Sequence, residues 1–256
     1  MKTTAIRKRK RMKTLSVINQ KGGVAKSTTC QMLAAALRRR GASTLLVDLD
    51  AQGNLTAAAG ASPDEAETAL ILQGESITPA DSSQGPIYTS TPVLASADLT
   101  LTETGKEYRL KEALAGMTFD YCIIDTPPAL GILTVNALTA SDYVIIPARA
   151  DLFSIQGIGQ LSKTIDAVKK YCNPDLQIAG ILLTMYSKRT VLQRETADIL
   201  QDTAKQIGTS IFETKIRPCS ALPEAQARRQ DIFTYSPRSN AAADYDAFTD
   251  ELLERI

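Results

Sequence analysis

Residues suited to phosphate chemistry are concentrated early in the chain, in the stretch VINQKGGVAKSTTC. Gly22 and Gly23 precede Lys26 and the hydroxyl of Ser27. Glycines before a helix let backbone N–H groups approach phosphate oxygens, and the helix dipole favours their negative charge. Lys26 would then contact β- and γ-phosphates, and Ser27 would bind Mg²⁺. The stretch therefore predicts a site for the phosphates of a nucleotide.

The same stretch departs from the ordinary phosphate-loop pattern, G-x-x-x-x-G-K-[ST]. Gln20 and Ala25 stand where that pattern has its two glycines, and an additional lysine, Lys21, precedes the glycines that are present. Because one methyl group adds little bulk, Ala25 would be tolerated at this position if its φ is negative. The alternative interpretation is a glycine turn between a strand and a helix, with a solvated lysine.

Carboxylates follow two later apolar runs. Asp48 and Asp50 end the run TLLVDLD, and Asp125 ends YCIID. Alternation along a strand places Asp48 and Asp50 on one side, and a carboxylate at the end of a buried strand can hold Mg²⁺ directly or through water. Helix capping or solvation would explain the pair Asp48 and Asp50 alone, or Asp125 alone. Together with the glycine-rich stretch, the three motifs predict hydrolysis of a nucleotide.

The elements that carry these residues alternate between strands and helices. The predicted strands are nearly continuous apolar runs, which is typical of a parallel sheet with helices on both faces. Ligands of such sheets bind at the carboxyl ends of the strands, where all three motifs lie. We predict an α/β, doubly wound, mainly parallel sheet of the P-loop NTPase class. The predicted strands are TLSVIN, TLLVDLD, DYCIIDTPP, DYVIIPA and QIAGILLT, and the predicted helices cover about residues 26–40, 106–115, 132–140, 155–170 and 192–207.

The composition fits one globular domain rather than a disordered chain, with 44% hydrophobic and 22% charged residues among 256. We expect a basic tail at residues 1–12 and one domain at residues 13–256, with a variable insertion at about 61–105, where Pro, Gly, Ser and acidic residues interrupt the pattern. The tail would either contact DNA or remain solvated. Neither a membrane-spanning run nor a secretion signal is evident, so we expect a cytoplasmic protein.

The types of residue that are missing exclude several kinds of catalysis. The chain has no histidine, and its four cysteines form no C-x-x-C pair. Catalysis by Ser-His-Asp or Cys-His groups is therefore excluded, and a zinc or dithiol site is not expected. Chemistry must depend on carboxylates, lysines, hydroxyls and a hard metal ion.

Several motifs resemble those of one known group. KGGVAKST, DLDAQGN and DTPP resemble the deviant Walker A, Walker A′ and Walker B motifs of the ParA/MinD ATPases. ILLTMYSKRT and the block IRPCSALPEAQARRQDIFTYSPRSNAAADY resemble ParA/Soj partition proteins in particular. The resemblance covers nearly the whole chain except the tail and residues 61–105. It departs at Ala25 and Ala51, where the family usually has glycine and proline.

This resemblance implies ATP and Mg²⁺ as cofactors and assigns roles to individual residues. Lys21 would reach across a dimer interface to the phosphates of the partner's nucleotide, so that dimerisation depends on ATP. Asp50 would position or activate the attacking water, and Lys21 and Lys26 would complete the catalytic set. The nucleotide would contact Lys21, Gly22, Gly23, Val24, Ala25, Lys26, Ser27 and Thr28, with Met185 near the adenine, and Mg²⁺ would be held by Ser27, Asp48 and Asp125.

The resemblance also implies partners. The ATP-bound homodimer would bind nonspecific double-stranded DNA through Arg189 and Arg217 and would associate with the nucleoid. Because the formal net charge is only +1, this binding requires a local basic patch. A ParB-like centromere-binding protein would stimulate hydrolysis and release the dimer from DNA. Possible neighbours in the patch are Lys188, Lys215, Arg228, Arg229 and Arg238.

The alternative within this group is a MinD-like membrane switch, which would need a basic amphipathic helix at the C-terminus. Here the final segment, DYDAFTDELLERI, has an acidic polar face that anionic lipid would repel. We therefore expect the segment to pack in the core and expect no membrane partner. Its apolar stripe is Tyr245, Phe248, Leu252 and Ile256, and its predicted polar face is Asp244, Asp246, Asp250, Glu251 and Glu254.

Overall fold

The computed structural model describes residues 11–63 and 67–256, so the predicted basic tail up to residue 10 lies outside the described residues. Within those two ranges, six strands form one sheet with the order β3-β2-β4-β1-β5-β6, and every pairing is parallel. The strands are β1 (Lys13–Val17), β2 (Thr44–Asp48), β3 (Ile87–Tyr88), β4 (Tyr121–Asp125), β5 (Tyr143–Ala148) and β6 (Gln177–Leu183).

The five predicted helices are all present, and further helices lie between them and after the last of them. The segment predicted at 106–115 divides into a 3₁₀ turn, Lys106–Tyr108, and an α-helix. The helices are α1 (Lys26–Arg39), α2 (Asn54–Ala59), α3 (Thr68–Leu72), α4 (Ala97–Thr100), α5 (Arg109–Leu114), α6 (Ile132–Ala140), α7 (Leu152–Tyr171), α8 (Val191–Gln206), α9 (Ala221–Ala227), α10 (Ile232–Tyr235) and α11 (Asn240–Arg255).

The sheet has a hydrophobic core on each face. Successive residues of β5 alternate between them: Ile145 belongs to the core that contains α1 and α11, whereas Val144 and Ile146 belong to the core that contains α7 and α8. Both faces of the sheet are therefore covered by helices, which confirms the predicted doubly wound class.

The C-terminal helix α11 packs in the core, as expected. Tyr245, Phe248 and Leu252 are fully buried. One member of the predicted polar face is different: Asp244 is buried and accepts hydrogen bonds from the Arg217 guanidinium at 2.6–3.1 Å. None of the helices in the described ranges is long and apolar enough to cross a bilayer.

The predicted insertion contributes to the sheet. Its residues Ile87 and Tyr88 form β3, the edge strand beside β2. The buried Tyr88 side chain donates to the carbonyl of Ile77 at 2.8 Å, which closes the preceding loop. Because this segment completes the sheet, the structure supports the proposal that residues 13–256 form one domain. We call residues 89–98, which follow β3, the strap.

Candidate nucleotide and magnesium site

The phosphate-binding loop lies between β1 and α1 and is held by Asn19. The Asn19 amide donates to the carbonyl of Pro147 at 2.7 Å and accepts the backbone N–H of Lys21 at 2.9 Å. The loop is thus attached to the end of β5. Gly23, with φ of 70°, has the left-handed conformation that glycine adopts readily.

Ala25 also has the left-handed conformation, with φ of 66°. The condition of a negative φ, under which the alanine would be tolerated, is therefore not met. An L-residue in this conformation is disfavoured by about 1–2 kcal/mol, because its Cβ crowds the following carbonyl oxygen. The conformation lets the Ala25 carbonyl accept the backbone N–H of Thr29 at 2.9 Å, in the first turn of α1. The methyl group therefore adds strain directly beside Lys26.

Asp125 lies at the centre of the carboxyl edge of the sheet, because its strand pairs with both neighbouring motif strands. Val17 and Asp48 are its register partners on the two sides. Both carboxylate oxygens are buried, and neither has a hydrogen-bond partner among the described residues. Burial, and then the charge of Asp48, raise the pKa of Asp125 well above its usual value, while Ser27 and Lys26 act in the opposite direction.

Burying a carboxylate that accepts no hydrogen bond costs free energy unless a cation or a water molecule binds its oxygens. Asp125 therefore has the free oxygen ligands that Mg²⁺ prefers. The neighbouring ammonium of Lys26 is also buried, and burial lowers its pKa while Asp125 and Asp50 raise it. Among the described residues, no group of three acidic or cysteine side chains could hold a metal by itself. The geometry fits a Mg²⁺ ion that is bound by few protein ligands together with the phosphates of a nucleotide.

Asp48 has a different environment from Asp125. Its carboxylate is fully buried and accepts three hydrogen bonds: one from the backbone N–H of Asp50 at 3.1 Å, and two from the N–H and hydroxyl of Thr56 at 2.8 Å. Burial raises the pKa of Asp48 to about 6, although these hydrogen bonds lower it. Since protein donors already occupy both oxygens, the structure favours Asp125 over Asp48 as a direct Mg²⁺ ligand.

Asp50 is partly exposed and opens onto a cleft of about 650 Å³. Its carboxylate accepts the backbone N–H of Gln52 at 3.1 Å, which orients it in the loop after β2. The cleft brings Asp50 together with most of the predicted phosphate-binding loop. Its lining residues include Gly22, Gly23, Ala25, Lys26, Ser27, Thr28, Asp50, Gln52 and Asn54.

The cleft also contains residues outside the predicted nucleotide site, among them Arg229, whose predicted place is the DNA-binding patch. Gln226 and Arg229, from α9 and the residues after it, lie opposite the phosphate-binding loop. The Gln226 amide donates to the hydroxyl of Thr28 at 3.2 Å, so α9 contacts the beginning of α1 directly. Met185 is half-exposed and is not among the residues that line this cleft, so its contact with adenine stays a prediction.

Lys21 lies beside the cleft but does not line it. Its ammonium is 2.5 Å from a carboxylate oxygen of Asp151 and 5.6 Å from the centre of the Phe153 ring. Asp151 is the N-cap of α7 and also accepts the backbone N–H of Ser154 at 2.9 Å. Partial burial alone raises the pKa of Asp151, but the hydrogen bonds from Lys21 and Ser154 outweigh it, and the resulting pKa is lowered.

The predicted DNA-binding arginines lie in two segments that touch. The backbone N–H of Tyr186 donates to the carbonyl of Ile216 at 3.0 Å, which brings residues 187–189 beside residues 215–217. Arg189 is exposed, whereas Arg217 is held by Asp244 with its side chain 48% exposed. Burial lowers the pKa of Lys215; the charges of Glu213 and Glu251 raise it, and those of Lys188 and Arg255 lower it, so this corner holds acidic as well as basic side chains.

Comparison with known proteins agrees with this geometry. A family model described as an AAA domain matches residues 12–178. The sporulation initiation inhibitor protein Soj of Bacillus subtilis is 37% identical over 248 residues, which cover 91% of this chain and 95% of Soj. The chromosome partitioning protein ParA of Myxococcus xanthus is 35% identical, with 94% and 88% coverage.

Solved structures extend the comparison to ligands and fold. Cobyrinic acid a,c-diamide synthase from Mycobacterium smegmatis, with a bound ATP analogue and magnesium, superposes with a TM-score of 0.81 at 36% identity and covers 95% of each chain. A plasmid partition protein from Borrelia burgdorferi has a TM-score of 0.76 at 23% identity, covers 96% of this chain and 100% of its own, and shows the shared fold alone. The predicted ATP and Mg²⁺ are thereby confirmed. With its phosphate-binding loop and paired aspartates at one sheet edge, the chain belongs to the ParA/Soj family of partition ATPases and is an ATP hydrolase.

Proposed function

We propose that this ATPase is a DNA-partition switch, in which two ATP-bound subunits form a homodimer that binds nonspecific double-stranded DNA. A ParB-like centromere-binding protein then stimulates hydrolysis and releases the dimer. The observation that carries the proposal is the position of Lys21, which lies beside its own cleft without lining it. Its ammonium would have to leave Asp151 in order to reach a nucleotide in a second subunit. The Myxococcus xanthus relative is a chromosome partitioning protein, which supports the same function.

Within one subunit, the roles follow from the contacts of the side chains. The backbone N–H groups around Gly22 and Gly23 bind phosphate oxygens, and Lys26 neutralises their charge. Ser27 and Asp125 hold Mg²⁺, which reduces phosphate charge when bound. Asp50 accepts a hydrogen bond from the attacking water and orients it. With no histidine in the chain, a carboxylate is the residue type suited to this role.

The dimer is supported by an exposed apolar surface beside Lys21. Leu152 and Phe153, in the first turn of α7, are 66% and 75% exposed. Large apolar side chains exposed together beside a ligand site are typical of a surface that another protein covers. Since Phe153 also contacts the Lys21 ammonium, a second subunit at this surface would cover the lysine as well.

DNA binding is supported by the corner that contains Lys188, Arg189, Lys215 and Arg217. One subunit presents only these few charges, and Asp244 offsets part of that of Arg217. A dimer doubles the number of phosphate contacts, and the affinity of such contacts depends steeply on salt because bound counterions are released. ATP-dependent dimerisation would therefore switch DNA binding on.

The test is binding to nonspecific double-stranded DNA with ATP, ADP or no nucleotide, measured as a function of salt. We expect binding only with ATP, and longer binding by Asp50→Ala because hydrolysis no longer ends the bound state. Arg189→Ala should weaken binding and lower the slope of log K against log salt by about 2, because the dimer loses one phosphate contact in each subunit. Lys169→Ala, which removes an exposed charge from the far end of α7, is the matched control.

Two results would contradict the proposal. DNA binding without nucleotide dependence would exclude the switch. Dimerisation by ATP without any DNA binding would show that the basic corner is ordinary surface, and a membrane or protein surface would be tested next.

A further inference from the structure

A closed ring of hydrogen bonds surrounds the main chain of Asp50. The Asp50 N–H donates to Asp48 at 3.1 Å, and the Thr56 hydroxyl donates to the other oxygen of Asp48 at 2.8 Å. The backbone N–H of Ser90, in the strap, donates to the Thr56 hydroxyl at 2.9 Å. The Ser90 hydroxyl closes the ring by donating to the carbonyl of Asp50 at 2.6 Å. Both main-chain groups of Asp50 are thus fixed.

Three of the four members of this ring are shielded from water. Asp48, Thr56 and Ser90 have exposed fractions of 0%, 1% and 2%, whereas Asp50 is only partly buried and presents its side chain to the cleft. Buried hydrogen bonds in a connected network are not replaced by water when one partner is removed. The ring therefore limits the movement of the Asp50 backbone while its carboxylate remains accessible.

The strap that carries Ser90 is itself attached at both ends. The Thr89 hydroxyl donates to the carbonyl of Pro63 at 2.7 Å. At the other end, Asp98 accepts the backbone N–H of Ile132 at 2.7 Å, in the first turn of α6, the helix that follows the Asp125 loop. The strap thus spans from the Asp50 loop to the helix after Asp125. The hydrogen bonds at both ends of the strap therefore hold Ser90 in place beside Asp50.

We propose that Ser90 is a positioning residue for Asp50 in ATP hydrolysis. Ser90 is not among the residues that line the cleft, so it acts on the reaction only through the Asp50 carbonyl. That carbonyl also accepts the backbone N–H of Gly53 at 2.8 Å, and the two hydrogen bonds together fix the backbone of Asp50 and hence the direction of its carboxylate toward the attacking water. Small displacements of a group that orients a reactant reduce the rate strongly. The inference rests on the proposed role of Asp50 and adds a residue of the strap to the catalytic apparatus.

The test compares Ser90→Ala with Thr89→Val in the full-length protein. Each change removes one buried hydroxyl of the strap that donates to a backbone carbonyl, but only Ser90 donates to Asp50. The measurements are single-turnover ATP hydrolysis, ATP affinity and thermal unfolding. Ser90→Ala should lower the hydrolysis rate about tenfold with unchanged ATP affinity. Thr89→Val should lower the unfolding temperature similarly and leave the rate unchanged. Ser90→Cys places a somewhat larger thiol that donates only weakly at the same position, and it should reproduce the slower rate if Ser90→Ala folds poorly.

Asp50→Ala distinguishes a failure of the role proposed for Asp50 from a failure of the role proposed for Ser90. If Asp50→Ala hydrolyses ATP at the normal rate, the role of Asp50 itself is wrong. If Asp50→Ala is slow but Ser90→Ala and Ser90→Cys hydrolyse ATP at the normal rate, the role of Ser90 alone is overturned. The same conclusion follows if the two Ser90 variants are slowed only as much as Thr89→Val. In the Asp50→Ala background, adding Ser90→Ala should cause no further decrease. A further tenfold loss there would show that Ser90 acts by another route.

Discussion

The contact between Lys21 and Asp151 opposes the proposed use of Lys21 in a dimer. To reach the phosphates of a partner's nucleotide, the ammonium must leave the carboxylate that lies 2.5 Å away. Asp151→Asn removes the negative charge while the amide oxygen continues to cap α7, since asparagine caps as well as aspartate does. The variant therefore weakens the hold on Lys21 without unwinding the helix. We expect it to strengthen ATP-dependent dimerisation.

The size of the effect follows from the exposure of the pair. The side chains of Lys21 and Asp151 are 27% and 30% exposed, so solvent screens their interaction and each pair contributes about 1 kcal/mol. A symmetric dimer must break this contact twice, which amounts to about 2 kcal/mol. The dimer dissociation constant should therefore fall about 25-fold in Asp151→Asn.

The assay is sedimentation velocity with Mg²⁺ and ATP, in an Asp50→Ala background that keeps the nucleotide intact. Asp166→Asn removes an equal charge from an exposed position of the same helix and should leave the dissociation constant unchanged. If Asp151→Asn dimerises no more tightly than Asp166→Asn, the contact does not restrain Lys21. If Asp151→Asn dimerises more weakly than both, Asp151 contributes to the interface and the reasoning is wrong.

Three further predictions concern strain, protons and packing. Ala25→Gly should raise the free energy of unfolding by about 1 kcal/mol, measured by denaturant titration, because glycine adopts φ of 66° without strain; an unchanged or lower stability would contradict the strain. Mg²⁺ binding in the presence of ADP should release protons, because burial raises the pKa of Asp125 and a metal-bound carboxylate is ionised. Calorimetry in buffers of different ionisation enthalpy measures this release, and Asp125→Asn should diminish it; equal release in both proteins would assign the protons elsewhere. Gly180→Ala should destabilise the fold by about 2 kcal/mol, since a methyl group there would lie 2.5 Å from the Phe212 ring; thermal unfolding at the normal temperature would contradict this packing.

The sequence predicts the sheet well where its strands are long apolar runs. β1, β2, β4, β5 and β6 all coincide with such runs. β3 has only two residues, Ile87 and Tyr88, so no periodic pattern indicates it. Its position depends on pairing with Leu46 and Val47. A pattern among neighbouring residues cannot indicate such a long-range pairing.

The site is predictable only where each residue belongs to a short motif of neighbouring residues. Lys26 and Asp125 belong to recognisable motifs, and the structure brings them together. Ser90 lies 40 residues from Asp50, and Asp151 lies 130 residues from Lys21, so tertiary structure alone creates those contacts. The φ of Ala25 could not be predicted from the sequence, because the volume of a side chain does not determine its backbone conformation. Its left-handed geometry follows from how the loop enters α1.

The parallel direction of all the strand pairings has a practical consequence for labelling. Arg11 stands just before β1, at the edge of the sheet opposite the cleft, and its side chain is 83% exposed. The five residues of β1 span about 16 Å, which separates position 11 from the phosphate-binding loop. Cys30 and Cys122 are buried, so only Cys172 and Cys219 need replacement before a fluorophore is attached to Arg11→Cys. Such a dye would test the proposed DNA binding on single molecules while the nucleotide edge stays unmodified.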